Sequence, residues 1–366
     1  MVGKISRFLV FLINVAFSAL LLATLFAGNF NPGKAGFVSS LALFFPYLLV
    51  VNVFFLVFWL LLWKKYVVLP LLVLLVSIPA VNNSYPLFKT PSDDSGDALE
   101  LEALSYNTMA NFVYKKHTKE KPSEGIRYIL DKDADIVCLQ EFNVSKSKNF
   151  LTHDDVLEIF KKYKYKHISY KIENARFKQV GMATFSKYPI VNKQSIDYPS
   201  RYNASIFTDI DIAGTVVRVF NVHLESNKIT GMDKAVSQKL KSKFDSDDIA
   251  GITNEFSRKL NEAAKVRAKQ VDIVSEMIKE SPYKVIVCGD FNDVPLSYAY
   301  KKMRGNLSDS FVESGKGLGL TYSRGIYQLR IDYILHDEAF IASDFQVDKV
   351  DYSDHYPVMC KLKIKR

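Results

Sequence analysis

The chain has 366 residues, 48% of them hydrophobic, and its 48 basic and 39 acidic side chains give a formal net charge of +9. This composition excludes a disordered chain, a collagen and a small disulfide-stapled protein. A positive balance of this size also occurs in nucleic-acid binders, so the position of the charges decides what it means.

The basic residues are unevenly placed along the chain. Residues 1–90 carry six basic side chains and no acidic one, which leaves 42 basic against 39 acidic side chains, a net +3, from residue 91 onward. Most of the excess positive charge therefore lies in an N-terminal segment whose composition differs from that of the rest of the chain. Nucleic acid stays possible as a partner, but the net charge does not indicate it.

Three apolar stretches occupy the N-terminal segment, at Phe8–Gly28, Phe37–Trp63 and Tyr66–Val81. About 20 apolar residues are needed to cross roughly 30 Å of hydrocarbon, and the first two stretches are long enough. The third is shorter and contains Pro70 and Pro79, so it could also be a re-entrant or interfacial segment. We predict that residues 1–81 form an anchor of three transmembrane helices in the lipid bilayer.

Basic residues predict the orientation of this anchor. Lys4 and Arg7 precede the first stretch, and Lys64 and Lys65 follow the second, so three crossings place both pairs in the cytoplasm. The large domain that follows is then extracytoplasmic, whereas two crossings would leave it cytoplasmic. In either case we predict an integral protein of the inner or plasma membrane. A cleavable signal peptide and a set of buried core helices are the two competing interpretations.

Residues 82–99 are polar and rich in Pro, Ser and Asp, and we interpret them as a linker. From residue 100 to residue 366 short apolar runs alternate with helical patterns, which predicts an α/β domain of packed sheets flanked by helices. The predicted helices lie at 122–130, 154–160 and 255–279, and Asp211–Gly214 predicts a hairpin turn. The predicted strands include Leu104–Tyr106, Ile136–Leu139, Met182–Phe185, Ser205–Ile212, Val216–Leu224, Val285–Cys288, Ile331–Leu335 and Pro357–Ile364.

Cysteines and most histidines carry no predicted chemistry. The three cysteines, Cys138, Cys288 and Cys360, lack metal-ligand spacing and are expected to be buried, inert thiols. Four histidines are expected on the surface or in loops: His117, His153, His167 and His336.

Polar side chains end or follow several of the apolar runs, where packing alone does not require them. They are Asn107, Glu141, Asn221, His223, Asp290, Asn292, Asp332, Asp354 and His355. Carboxylates and amides suit a hard cation such as Mg²⁺, and histidine can exchange a proton near neutral pH.

These motifs, in this order, resemble the endonuclease–exonuclease–phosphatase superfamily with its DNase I-like fold. The resemblance covers about Ala103 to Lys365 and is carried by Leu139–Glu141, Gly289–Asn292 and Ser353–His355. It implies a four-layer α/β sandwich of two packed β-sheets flanked by helices, with the site at one edge. It also implies metal-dependent hydrolysis of a phosphate ester.

The same resemblance implies a role for each residue. Glu141 resembles the principal Mg²⁺ ligand (Mn²⁺ being possible), with Asn107 and Asp354 beside the metal. His355 resembles the catalytic histidine, oriented by Asp332. The remaining implied roles are catalysis for Asp290, Asn292 and His223, and substrate binding for Asn221, Asn292 and His223, with Asn203 a further candidate.

The fold does not name the substrate. The leading hypothesis is a membrane-anchored, Mg²⁺-dependent phosphodiesterase, nuclease-like or acting on a lipid. The alternatives are a phosphomonoesterase on lipid or inositol-type head groups and a catalytically silent, membrane-tethered binding module. The sequence leaves the choice of phosphate ester and the oligomeric state open.

Two local stretches bear on the substrate. Lys161–Lys178 carries seven basic residues with interleaved aromatics, which fits either an anionic partner or a solvated edge strand, and we favour the strand. Glu225–Leu260 looks like an insertion, with a helix toward Leu260 and a surface loop or a mobile lid before it.

Overall fold

The fold is taken from a computed structural model of the chain. It describes residues 2–86, 99–109, 118–146, 150–175, 178–198, 200, 203–227, 246–324 and 327–364. The chain divides into two compact units. The first, here the N-terminal unit, comprises Met1–Leu87, Asn227–Ala268 and Val294–Lys302; the second, here the sandwich unit, comprises Phe88–Ser226, Lys269–Asp293 and Met303–Arg366. Most of the predicted linker, residues 87–98, lies outside the described residues.

The N-terminal unit begins with four helices, α1 (Val2–Phe26), α2 (Gly36–Ser40), α3 (Phe45–Leu62) and α4 (Val68–Ser84). Two segments, Ile5–Asn29 and Leu41–Leu62, are long and apolar enough to cross a membrane. Only 22% of the most apolar part of the first and 28% of that of the second is buried within the protein. Helix α4 is apolar but has only 17 residues and contains Pro79. The structure thus contains two candidate spans and one shorter apolar helix.

Helices α1 and α3 are joined by hydrogen bonds between polar side chains that are fully or almost fully buried, which we call the polar ladder (Asn14, Ser18, Asn52 and Trp59). Ser18 Oγ donates to Asn52 Oδ1 over 2.8 Å, and Trp59 Nε1 donates to Asn14 Oδ1 over 3.0 Å. In apolar surroundings such bonds help to fix which helices pair and in which register.

The described residues of the sandwich unit form two six-stranded mixed sheets. The first sheet has the order β13-β14-β1-β2-β4-β3 and the second β5-β6-β7-β8-β12-β9, with a separate pair β10-β11. The strands are β1 (Glu100–Asn107), β2 (Ile136–Ser145), β3 (Tyr165–Ala175), β4 (Lys178–Ser186), β5 (Ile190–Ile196), β6 (Ser205–Ile212), β7 (Thr215–His223), β8 (Lys284–Asp290), β9 (Ser308–Asp309), β10 (Tyr322–Arg324), β11 (Tyr327–Leu329), β12 (Asp332–His336), β13 (Phe340–Val347) and β14 (Val358–Ile364). The later helices of the chain are α5 (Glu124–Lys132), α6 (His153–Ile159), α7 (Ser246–Lys279), α8 (Tyr298–Arg304) and α9 (Ser310–Ser314).

Two apolar clusters show how these layers pack. One lies between the sheets, where Cys138 and Cys360 of the first sheet meet Val219, Cys288 and Ile334 of the second. The other joins the outer face of the first sheet to α5 and α6. The predicted α/β architecture of two packed sheets with flanking helices is confirmed, and so is the burial of all three cysteines.

The predicted elements mostly match the observed ones. The long helix begins earlier than predicted, at Ser246. Helices α8 and α9 were not predicted, and the predicted strands did not include β5, β9, β10, β11 or β13. The predicted hairpin turn joins β6 and β7, with φ of 50° at Ala213 and 87° at Gly214, as a two-residue turn of this hand requires. Within the basic stretch, Tyr165–Ala175 forms β3 at the edge of the first sheet, as favoured. Residues 176–177 of that stretch and residues 228–245 of the predicted insertion lie outside the described residues.

Two histidines that we expected at the surface are buried. His167 Nδ1 lies 2.9 Å from Thr208 Oγ1, and burial lowers the His167 pKa to about 4. His336 is fully buried, with Nε2 3.2 Å from Glu313 Oε2. The alternation of polar and apolar residues in a strand cannot show whether another layer of the protein covers its polar face. For this reason both histidines were wrongly expected at the surface. His153 opens α6, and His117 lies outside the described residues.

Candidate active site

Strand register places three of the candidate residues side by side at one end of the second sheet. His223 of β7 is paired with Asp290 of β8, and Asp290 is paired with Asp332 of β12. The three side chains are almost completely buried. This arrangement follows from pairing alone, because paired residues on adjacent strands lie about 5 Å apart.

The first sheet contributes Asn107 and Glu141. Strands β1 and β2 run parallel with Asn107 opposite Gln140, and the register of β2 shifts between Leu139 and Phe142. Glu141 sits in this bulge with a φ of 49°, an uncommon conformation for a residue other than glycine. A bulge changes the direction in which the side chains of a strand point. Here the Gln140 side chain is fully buried, whereas that of Glu141, the next residue, is partly exposed.

Asn107 joins the ends of the two sheets. Its Nδ2 donates to Asp290 Oδ2 over 3.0 Å and lies 3.5 Å from Glu141 Oε1. Asp290 Oδ2 is also 3.7 Å from Nε2 of both His223 and His355. One carboxylate is therefore surrounded by an amide and two imidazoles.

Asn292 completes the loop after β8. Its backbone N donates to Asp290 Oδ1 over 2.8 Å, and its Nδ2 donates to Leu224 O over 2.9 Å. The residue has a φ of 51°, a left-handed conformation that asparagine tolerates better than most residues. Asp290–Asn292 is thus a fixed turn in which the side chains of both residues remain at the strand end.

His355 is oriented by Asp332, whose oxygens lie 3.0 and 3.2 Å from His355 Nδ1. A carboxylate on Nδ1 favours the tautomer that carries its proton there and stabilises the imidazolium form. Ser353 Oγ donates to Asn107 O over 2.9 Å, so the turn that carries His355 is tied to the end of β1.

The electrostatics of the site follow from burial and from the facing charges. Burial raises the pKa of Asp290 to about 6, against the opposing effect of His355. Burial also raises the pKa of Glu141 and lowers that of His223. Burial disfavours the cation at His355 too, but Asp332 and Asp290 outweigh it and raise the His355 pKa to about 10.

The donors at the site suit a hard divalent cation. Oxygen and nitrogen atoms of Asp290, Asp332 and His355 lie within 4.8 Å of one another, although Asp332 and His355 are already hydrogen-bonded to each other. Glu141 offers a carboxylate that is 36% exposed, and the charge of Asp354 is near enough to raise the Glu141 pKa. Carboxylate and amide oxygens of this kind match the preference of Mg²⁺ or Mn²⁺.

One candidate substrate ligand, Asn221, lies elsewhere in the structure. It is fully buried between the sheets, where its Oδ1 accepts from Gln140 Nε2 over 2.8 Å and its Nδ2 donates to Ala183 O over 3.0 Å. Asn221 does lie two residues from His223 on the same strand, as predicted, but its side chain links the two sheets. We therefore withdraw it as a substrate ligand.

Sequence reasoning missed Thr321. Its Oγ1 accepts from the backbone N of both Ile331 and Asp332 over 3.0 Å, and its carbonyl accepts from Tyr356 N. Thr321 therefore fixes the loops on both sides of the Asp332–His355 pair. A threonine in a loop has no sequence signal that separates it from a surface residue. Asn203, a weaker candidate, lies with Nδ2 3.1 Å from His223 Nε2.

Gly289 permits the approach of β7 to β8 just before Asp290. Its φ is 150°, and a Cβ there would lie 2.0 Å from Val222 O. We expect Gly289→Ala to destabilise the fold by about 1–3 kcal/mol, because the two strands must separate. Thermal unfolding of the full chain measures this, with Gly251→Ala as the control, because an added Cβ there meets nothing within 4 Å and the backbone is not left-handed. An unfolding midpoint equal to that of the wild type would contradict it.

Comparison with known families agrees with this geometry. A family model described as "Endonuclease/Exonuclease/phosphatase family" matches residues 106–355, and the chain belongs to that family. A second model, described as a domain of unknown function (DUF8431), matches residues 7–84. No curated protein sequence matches the chain.

Solved structures share the fold at low sequence identity. An endonuclease/exonuclease/phosphatase from Beutenbergia cavernae DSM 12333 has a TM-score of 0.52 and 17% identity, over 73% of this chain and 72% of that one. A humanized TDP2 of D. rerio has a TM-score of 0.49 and 17% identity, over 72% of this chain and 98% of that one. A family protein from Bacteroides thetaiotaomicron has a TM-score of 0.49 and 15% identity, over 74% of this chain and 100% of that one. The first of these likenesses supports the DNase I-like fold.

Proposed function

We propose that this chain is a membrane-anchored, divalent-metal-dependent phosphodiesterase. The observation that carries the proposal is the position of Asp290. This buried carboxylate is hydrogen-bonded by Asn107 and Asn292 and lies within 3.7 Å of two imidazoles. Such a concentration of titratable groups at a strand end is typical of catalysis and is not required for packing.

Each residue has a role in attack of water on phosphorus. Asp290, with its pKa raised to about 6, accepts a proton from the attacking water. His355, kept protonated beside Asp332 and Asp290, donates a hydrogen bond from Nε2 to a phosphoryl oxygen. Asn292 orients the water. His223, whose Nε2 lies 3.7 Å from Asp290 Oδ2, contacts the phosphate on the side where the leaving oxygen departs.

A metal ion fits this scheme through the oxygen donors at the mouth of the site. Glu141, with Asn107 and Asp354, would hold Mg²⁺ or Mn²⁺. The ion, when bound, supplies positive charge against the phosphoryl oxygens.

A substrate panel tests the proposal. The full chain in detergent micelles is assayed with Mg²⁺ on DNA, RNA, phospholipids, a chromogenic phosphodiester and the matching phosphomonoester. We expect release from at least one diester that EDTA abolishes. Turnover confined to the monoester would favour a phosphomonoesterase, and no metal-dependent release from any substrate would favour a binding module.

We also infer that α4 crosses the membrane, which places the catalytic domain outside the cytoplasm. Contacts within the N-terminal unit support this. Ser40 Oγ donates to Asn261 Oδ1 over 3.1 Å, and Asn31 Nδ2 donates to Tyr298 OH over 3.3 Å. The connection between the first two spans therefore contacts chain that follows α4. That chain can reach this face only if α4 crosses, because an even number of crossings would leave it on the opposite face.

The basic residues agree with this orientation. Lys4, Arg7, Lys64 and Lys65 then lie together on the cytoplasmic face, as the positive-inside tendency requires. A C-terminal alkaline-phosphatase fusion is expected to be active in intact cells. An inactive fusion, with an active fusion at residue 34, would instead show two crossings.

A further inference from the structure

The loop that carries Asn292 is the point at which the chain passes from one unit to the other. The sandwich unit includes Asp293, and the N-terminal unit resumes at Val294, with no residue between them. On the sandwich side Tyr333 OH donates to Asp293 O over 2.9 Å. The catalytic turn Asp290–Asn292 is therefore followed, without a linker, by a segment that belongs to the N-terminal unit. We call Val294–Lys302 the junction segment.

The junction segment is held by the apolar helices of its own unit. Leu296 packs against a cluster formed by Leu21, Phe45, Leu48 and Val73. Leu296 also has a φ of 73°, in the left-handed region that a bulky side chain rarely adopts. Such a conformation persists only where the surroundings enforce it, and here the partly buried Leu296 side chain packs against the apolar cluster.

The C-terminal end of the first span contacts the same segment through its backbone and its polar side chains. A Cβ added to Gly28 would lie 2.5 Å from Leu296 O and 3.0 Å from Ser297 O. Lys301 Nζ donates to Asn29 Oδ1 over 2.5 Å. Only glycine at position 28 permits this approach, so Gly28 and Leu296 together determine how the junction segment is seated.

We propose that Gly28 and Leu296 are positioning residues for the catalytic turn. Seating of the junction segment on the apolar helices fixes the chain from Val294 onward, two residues after Asn292, and so holds Asn292 in the left-handed conformation in which it hydrogen-bonds Asp290. The proposal rests on the proposed function. It makes the N-terminal unit part of the catalytic framework, required for turnover even of a small, water-soluble substrate.

The test uses the full chain in detergent micelles and bis(p-nitrophenyl) phosphate with Mg²⁺. Because this substrate does not partition into a bilayer, an effect on its turnover is independent of membrane attachment. Gly28→Val is expected to lower kcat by about tenfold to 10²-fold with little change in KM, since displacement of catalytic groups by even 1 Å has effects of this size. Gly251→Ala, in a helix of the same unit where an added Cβ meets nothing within 4 Å, is the matched control and should keep wild-type turnover.

A second pair of variants separates positioning from folding. Leu296→Met keeps an apolar side chain in the cluster and should keep most of the turnover. Leu296→Gly removes the side chain but suits the left-handed backbone, so it should fold and lose kcat as Gly28→Val does. Thermal unfolding checks each variant. The only two tryptophans, Trp59 and Trp63, lie in the N-terminal unit, so their fluorescence reports whether that unit is intact.

The outcomes are distinguishable. An inactive wild type would overturn the proposed function itself. An active wild type with equal kcat in Gly28→Val and Leu296→Gly would overturn only the positioning proposal. Should Gly28→Val fail to fold, the two Leu296 variants decide, and loss of kcat in folded Leu296→Gly but not in Leu296→Met supports the proposal.

Discussion

Glu141→Gln is expected to lower turnover of the phosphodiester substrate by about 10³-fold while the protein stays folded. The amide keeps the size of the side chain but removes the negative charge proposed to hold the metal. Loss of roughly 4 kcal/mol of charge stabilisation corresponds to this factor. The amide oxygen of glutamine can still accept from Asn107 Nδ2, and burial disfavours the charged form of Glu141, so the unfolding midpoint should be unchanged or slightly raised.

Activity and metal affinity are measured together for this variant. Glu158→Gln is the matched control, since Glu158 is an exposed residue paired only with Lys161 among the ion pairs of the described chain. Isothermal titration with Mn²⁺ should show weaker binding by Glu141→Gln and unchanged binding by Glu158→Gln. Wild-type turnover in Glu141→Gln would remove Glu141 from the site.

The Asp332–His355 pair should behave as one unit. His355→Ala is expected to lower kcat by about 10²–10⁴-fold, the range found for positioned acid–base groups. Asp332→Asn keeps the shape of the side chain but removes the negative charge that orients His355 and keeps it protonated. Because both single changes disable the same imidazole, the double variant should be no slower than His355→Ala alone.

Steady-state kinetics of the four proteins in this double-mutant cycle provides the measurement. Leu335→Val, a buried and volume-reducing change in the same strand, controls for general loosening of β12. If the effects of His355→Ala and Asp332→Asn multiply in the double variant, the two residues act independently and the proposed pairing is incorrect.

Much of the sandwich could be predicted from the sequence because its strands are short apolar runs. Ile136–Leu139 and Val285–Cys288 are buried on both faces and stand out from polar surroundings. Strand β5 was missed because most of its residues are exposed, so it lacks the alternation that marks a half-buried strand. Strand β13 was missed because Ser343 and Asp344 interrupt its apolar pattern at a bulge.

The residues of the candidate site could be predicted from the ends of the strands, but the hydrogen-bond partners of each side chain could not. His223 and Asn221 share one face of β7, and the sequence treats them alike. Only the facing sheet separates them: Gln140 accommodates Asn221 in the interior, whereas His223 lies at the edge beside Asp290. Likewise, periodicity cannot show that Val294–Lys302 packs with the apolar helices, because that contact joins residues more than 200 positions apart.

The buried thiols have a practical and a physiological consequence. All three cysteines lie in the core between the sheets, and burial raises the pKa of Cys360 to about 12. Thiolates are the reactive form, so these side chains resist both oxidants and alkylating reagents. The burial of the three thiols is therefore compatible with an oxidising compartment. For the experimenter, we expect the folded wild-type chain to react little with maleimides, so that a cysteine introduced at a surface position is the one labelled.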